Sequence, residues 1–523
     1  MTKVVTAAEA VARIADRSTV TVSSSSGLGC PDHVLAAIGE RFEKEGHPRN
    51  LTTLHPIAAG DMYGIKGVDH IARDGLLETV IAGSYPSGPS LLPMPEIWRM
   101  LVENRVAAYN VPSGILFDMH RETAARRPGV LTKVGLDTFV DPLRQGCAMN
   151  DRAAARPIVS RVEFNGDIWL HFPNIVADVA IIRATTADES GNLTYEHEGA
   201  YLGGLEQAIA VRNHGGLVIA QVKRVTAAGS LRPHDVRVPS HLVDLVVVDP
   251  GQRQTTETDY DPAISGQIMR PWSSFRLAPH GIEKVVARRA AMELRRGQTA
   301  NLGFGVSAMV PRILLEAGHP QAVTWAIEQG ATGGMPLTDF AFGCASNADA
   351  YMPSPQQFIY FQGAGFDVSF LSFLEIDTEG NVNVSKLGKK PYLTAGCGGF
   401  VDITAHARKI VFSGLFEAGA DLDLGENALT VRKPGRFTKM VDEVEHVTFS
   451  GRRAREQGQE ILYVTERCVI RLERDGLVAT EIMPGIDAAR DIAEASKGRV
   501  RIAENAVTMP VALLSTRALE LDL

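Results

Sequence analysis

The segment DVAIIRATTADESGNLTY, beginning at Asp178, recurs as DVSFLSFLEIDTEGNVNV, beginning at Asp367. Each copy opens on Asp-Val, runs through an apolar stretch and closes on a turn containing Gly-Asn. Asp178 and Asp367 are 189 residues apart, and so are Gly191-Asn192 and Gly380-Asn381. An earlier pair matches too: TVTVSSSSGLGCPDHVLAAIG against TANLGFGVSAMVPRILLEAG, with GLG at 27–29 facing GFG at 303–305. Two landmarks repeated in the same order indicate a duplicated unit. Within each copy, short apolar runs alternate with helical spacing, as in Ile282, Val286, Ala290 and Leu294, which predicts α/β architecture. The expected fold is two tandem, similar open α/β domains, at residues 1–265 and 281–523, joined through the polar stretch 251–280. The two offsets, 276 and 189, place an insertion of about 87 residues in the N-terminal half, within a Gly/Pro-rich region of strands, one helix and long loops. Loops of that length suggest lids or oligomer contacts.

At 523 residues the chain is too long for one ordinary core, which agrees with a duplication. Its 53 basic and 61 acidic residues leave a net charge of −8, which argues against a general nucleic-acid or anionic-membrane partner. The five cysteines are scattered without a CxxC pair, so neither a disulfide scaffold nor a zinc ribbon is expected. No apolar run reaches the ~18 residues of a membrane span. The N-terminal stretch has amphipathic helical spacing with acids in it and lacks a signal peptide's apolar core, so a cytoplasmic location is expected.

The familiar catalytic patterns are missing: GxSxG, HExxH and GxxxxGK[ST] do not occur, and neither glycine turn completes GxGxxG. What remains is a set of glycine segments in the second half. NLGFG (301–305), EQGATGG (328–334) and TAGCGGFVD (394–402) surround one carboxylate, Glu328, which ends the apolar run of Val323, Trp325 and Ile327. Glycine turns near a carboxylate can offer backbone N–H groups to a developing oxyanion. The carboxylate itself can act as general base or as nucleophile, and the second role suits a substrate already activated as a thioester.

The order NLGFG, IEQGATGG, DTEGNVNVSK, AGCGGFVDIT resembles family I coenzyme A transferases, and among them the fused single-chain subgroup that handles acetate, propionate and similar short acyl groups. GLGCPDHVL, LTKVGLDTFVDP and ADESGNL extend the resemblance over essentially the whole chain. It implies that Glu328, in a Glu-x-Gly-x-x-Gly-Gly loop with Gly330, is the nucleophile. This residue would attack the donor acyl-CoA to give an acyl-glutamyl anhydride, then a glutamyl-CoA thioester, and the acceptor carboxylate would reverse both steps. Oxyanion donors would be the Phe304 N–H, in the turn with Gly303 and Gly305, and the N–H of Gly398 or Gly399. Asn381 or Asn383 would lie near the thioester, and Lys386, Lys389 and Lys390 are candidates for the CoA phosphates.

The same resemblance implies acyl-CoA and small carboxylates as substrates, no metal, no permanently bound cofactor, and a homo-oligomer, dimer or tetramer. An acyl-CoA hydrolase or a non-catalytic CoA-binding relative on the same fold are the alternatives. The sequence departs from the family in two places. GFGVS stands where a small aliphatic residue and Pro are frequent, and EQGATGG lacks the Pro that often follows its first Gly. Both changes flank the implied acyl pocket.

Overall fold

The computed structural model describes residues 3–61, 63–86, 93–388 and 393–523. In the first half, β1 (Lys3–Val5), β2 (Thr19–Val22), β3 (Leu51–His55), β4 (Leu77–Ala82), β5 (Ala107–Asn110), β6 (Val179–Asp188), β7 (Leu217–Thr226) and β8 (Leu245–Val248) form a sheet of order β1-β8-β7-β6-β2-β3-β4-β5. Every pairing along this path is parallel. Parallel sheets are covered on both faces, and β6 is accordingly buried at all ten positions.

The second half contains β9 (Thr299–Leu302), β10 (Thr324–Ala326), β11 (Val368–Ser372), β12 (Lys409–Ser413), β13 (Glu460–Val464), β14 (Cys468–Glu473), β15 (Gly476–Ile482) and β16 (Val500–Thr508). Their order is β10-β9-β11-β12-β13-β14-β15-β16. The run β8-β7-β6-β2-β3 and the run β13-β12-β11-β9-β10 are the same arrangement.

The repeated residues explain why. Asp178 immediately precedes β6, and its carboxylate accepts the Thr19 N–H of β2 at 2.8 Å; Asp367, immediately before β11, does the same for Thr299 of β9 at 2.8 Å. At the other end of β6, Asp188 accepts the N–H groups of Ser190 and Asn192, and Asp377, ending the short strand Glu375–Asp377 that follows β11, accepts those of Glu379 and Asn381. The amide of Asn192 then reaches the Ser240 N–H, as Asn381 reaches that of Gly451. Thr19 and Thr299 stand 280 residues apart rather than the 276 read from the glycine turns, because Ser23–Ser26 lengthen the first turn. Asp178→Ala and Asp367→Ala should each cost about 1 kcal/mol, the net worth of one such hydrogen bond, with matching midpoint shifts in urea unfolding.

The inserted region supplies β4, β5 and a three-stranded antiparallel sheet of Val130–Thr132, Asp167–Phe172 and Ser160–Phe164. Its long loop is neither lid nor free surface at Phe139. That ring is fully buried and stacks on His446 of the second half at 4.0 Å, and the Phe139 N–H donates to Val447 O. The stretch 251–280 is likewise no loose linker. Gln254, Thr255 and Ile264 are buried, Tyr351 donates to Ile264 O, and Arg270 N–H to Asn347. One apolar cluster runs from Leu54, Ile81 and Ile115 to Phe358, Val401 and Phe412, so the two halves share a core.

Candidate active site

Glu328 leaves the C-terminal end of β10, where open α/β sheets place their ligands. A tight turn follows: Gly330 N–H donates to Ile327 O and Ile327 N–H to Ala331 O. Gly330 has φ +118° and faces the Met352 carbonyl oxygen where a Cβ would lie, so only glycine fits.

The glycine run reaches Glu328 because the first half holds it there. Tyr85 N–H donates to Ala395 O, Gly398 N–H to Gly83 O at 2.7 Å, and Ser113 N–H to Gly398 O. Asn110, at the end of β5, accepts the Cys397 N–H and donates to Ala82 and Gly83 carbonyls. This clamp brings Gly399 against the carboxylate. The Gly399 backbone lies close enough for its N–H to favour the ionised carboxylate, and a Cβ on Gly399 would lie 2.7 Å from Glu328 Oε2.

Gln329 supplies the second donor. Its Nε2 is 3.1 Å from Glu328 Oε1 and 3.0 Å from Ser25 Oγ of the first half, while its own Oε1 has no partner among the described residues. Burial pushes the Glu328 carboxyl up to about 7, and the hydrogen bonds from Gln329 and Gly399 only partly offset it.

The other residues singled out by sequence separate into groups. Gly303, Phe304 and Gly305 form the turn after β9, with Gly303 N–H on Phe370 O and Gly305 at φ +87°. The Phe304 carbonyl accepts from Ser372 Oγ and Ser307 Oγ, and its N–H has no hydrogen-bond partner among the described residues. The Phe304 ring is 65% exposed and meets Phe342 edge-on at 5.3 Å. Phe342 precedes Gly343, which packs on the Gln329 side chain, so this aromatic pair borders the Glu328 loop.

The Gly398 N–H is committed to Gly83 O and is not open toward Glu328. Both ends of the Asn381 amide are engaged in the turn, on Asp377 and Gly451. Asn383 is fully buried, donating to Glu375 and to Lys386 O and accepting from the Ser385 and Lys386 N–H groups. Neither asparagine is hydrogen-bonded to Glu328 among the described residues. Lys386 Nζ donates to Met149 O, and burial holds its pKa below the usual lysine value. Lys389 and Lys390 lie outside the described residues.

Four residues that touch this arrangement were not picked out by sequence: Ser25, Asn110, Gln329 and Asp402. Gln329 and Asp402 sit inside the glycine segments themselves, adjacent to Glu328 and at the end of TAGCGGFVD. Only their position could have signalled them.

A family model for coenzyme A transferase matches residues 4–249. A caffeate CoA-transferase of Acetobacterium woodii is 41% identical over 498 residues, covering 94% of this chain and 93% of that one. The acetate CoA-transferase YdiF of Escherichia coli K12 is 36% identical over 492 residues, covering 94% and 91%. The crystal structure of the YdiF apoenzyme from Escherichia coli O157:H7 superposes with a TM-score of 0.92 at 34% identity, over 100% of this chain and 98% of that one. A second structure of that protein, described as a thioester complex with CoA, gives 0.91. With such identity across nearly the whole length of these relatives, the chain belongs to the coenzyme A transferase family and is a CoA-transferase.

Proposed function

We propose that Glu328 is the nucleophile through which this CoA-transferase moves CoA from a short-chain acyl-CoA to an acetate-like carboxylate. The observation that carries this reading is a poorly solvated carboxylate at a strand end, with a glycine N–H directed at it. Ionised Glu328 adds to the thioester carbonyl, whose oxygen becomes an oxyanion. The thiolate of CoA leaves, giving an acyl-glutamyl anhydride. The thiolate then attacks the glutamyl carbonyl, the first carboxylate departs, and a glutamyl-CoA thioester remains. An acceptor carboxylate attacks that thioester, and the same two steps in reverse regenerate Glu328.

Overall, one thioester and one carboxylate are exchanged for another of each, so the net free-energy change is small and no permanently bound cofactor enters the scheme. The N–H groups of Phe304 and Gly399 are the assigned oxyanion donors, each worth about 10²–10³ in rate in comparable sites. Water must stay out or the anhydride hydrolyses, and the shared core between the halves supports that exclusion. Residues 1–265 and 281–523 are the two units, with the site where they meet. A cytoplasmic homo-oligomer, dimer or tetramer, completes the reading.

The test is intact mass after incubation with acetyl-CoA or propionyl-CoA without acceptor. A CoA-sized adduct on a peptide containing Glu328 is expected, and acetate should discharge it. No adduct, or release of free CoA at one rate with and without carboxylate, would defeat the reading in favour of hydrolysis. The named relatives act on acetate and caffeate, so an acyl-CoA by carboxylate matrix with one aryl-acrylate among the acids assigns the substrate.

A further inference from the structure

Asp402 is fully buried three residues beyond Gly399, in the first turn of helix Phe400–Thr404, whose N-cap is Gly399 itself. Its Oδ2 accepts the Gly114 N–H at 2.9 Å, in the first turn of helix Ser113–Ala124 of the other half. Its Oδ1 accepts from Gln362 Nε2 at 2.9 Å, at the end of helix Ser354–Gln362. The fit leaves no slack, since a Cβ on Gly114 would lie 2.6 Å from Gln362 Nε2 and closer still to Asp402. Three helices from two halves therefore converge on one carboxylate, one turn from the glycine that meets Glu328.

We propose that Asp402 is a positioning residue for the transfer reaction: it locks the start of its helix to Gly114, which holds the Gly399 N–H on Glu328, and it sets a second carboxyl beside the nucleophile.

This rests on Glu328 being that nucleophile. The groups facing Asp402 are Glu328, Cys397 on its own run, and Asp118 of helix Ser113–Ala124; Gln362 is neutral. Asp118 is flanked by Glu122 and by Arg121, whose guanidinium is 3.5 Å from it. Burial, opposed by the hydrogen bonds from Gln362 and Gly114 and aided by the charges of Asp118 and Glu328, raises Asp402 to about 7, and burial raises Asp118 to about 6. Glu328 and Asp402 therefore titrate as a pair, with one charge more readily formed than two. An Asp402 charge opposes ionisation of Glu328, so removing it should let Glu328 ionise at lower pH. A residue that only packs would not move that titration.

The experiment compares wild type with Asp402→Asn, an isostere that can still accept from Gly114. CoA-adduct formation and the pH profile of kcat and KM are measured on the full chain. The expected result is that the variant still forms the adduct, kcat falls about tenfold with KM for acyl-CoA within about threefold, and the acidic limb moves down by about one pH unit. If the variant does not fold, Asp402→Ser, which also keeps an acceptor without charge, is read the same way. A wild type that forms the adduct beside a variant whose profile superimposes on it overturns this inference alone. A wild type that forms no adduct overturns both readings.

Discussion

Glu328→Gln should abolish CoA transfer and at the same time stabilise the protein, with the gain growing as pH rises. An amide cannot attack a thioester at neutral pH, and loss of a nucleophile of this kind costs at least about 10⁴ in kcat. The stability effect follows from burial. Folding raises the Glu328 carboxyl to about 7, above its ordinary range, so the native state binds this proton more tightly than the unfolded chain does. Stabilisation from protonation is complete below the ordinary carboxylate pKa and is lost as pH climbs through about 7. Above that, the wild type holds an under-solvated charge that the amide does not have. Each tenfold change in proton affinity corresponds to about 1.4 kcal/mol, so the difference approaches about 3 kcal/mol at pH 8 as an upper figure.

Local hydrogen bonding can adapt to the variant. Gln329 Oε1 has no partner among the described residues, and a flip of its amide would let it accept from the new amide. Urea unfolding at pH 5 and pH 8 checks this. A variant no more stable than wild type at pH 8 would mean that Glu328 is better solvated than its surroundings indicate.

The second large effect is expected at Gly399. Its φ of −86° suits alanine, so Gly399→Ala should leave the helix start intact. The added methyl, however, would lie 2.7 Å from Glu328 Oε2 and 2.6 Å from Phe358 Cε1. Something must move, and the movement separates donor from carboxylate. A fall in kcat of about 10²–10³ is expected, the worth of one oxyanion donor. Gly398→Ala is the contrast. It has φ +53°, but a Cβ there meets nothing within 4 Å. It should cost about 1 kcal/mol of stability through backbone strain while leaving kcat within about tenfold. Steady-state kinetics on both variants decides which glycine serves the oxyanion; equal losses would remove the distinction drawn between them.

The residues that were readable in advance share one property: their roles are local. Asp178 and Asp367, and Asp188 and Asp377, anchor strand ends by bonding to nearby backbone, so the same residues had to recur with the same spacing. Glu328 was legible because an apolar run ending in a carboxylate and glycines is unusual within a few residues. Asn381 is local in the same sense. Its motif is real, but Asn192 occupies the same position in the first half with the same bonds, which marks it as part of the turn common to both copies.

By itself, then, the order of residues determined the duplication, the strands and the one carboxylate with glycines around it, because propensity, periodicity and turn chemistry act over a few residues. Only the tertiary structure decided which glycine meets Glu328, that Gln329 joins it to Ser25 across 304 residues, and that Asp402 reaches Gly114 across 288. Those choices depend on desolvation and hydrogen-bond direction, which belong to groups brought together in space and have no counterpart in the spacing of a chain.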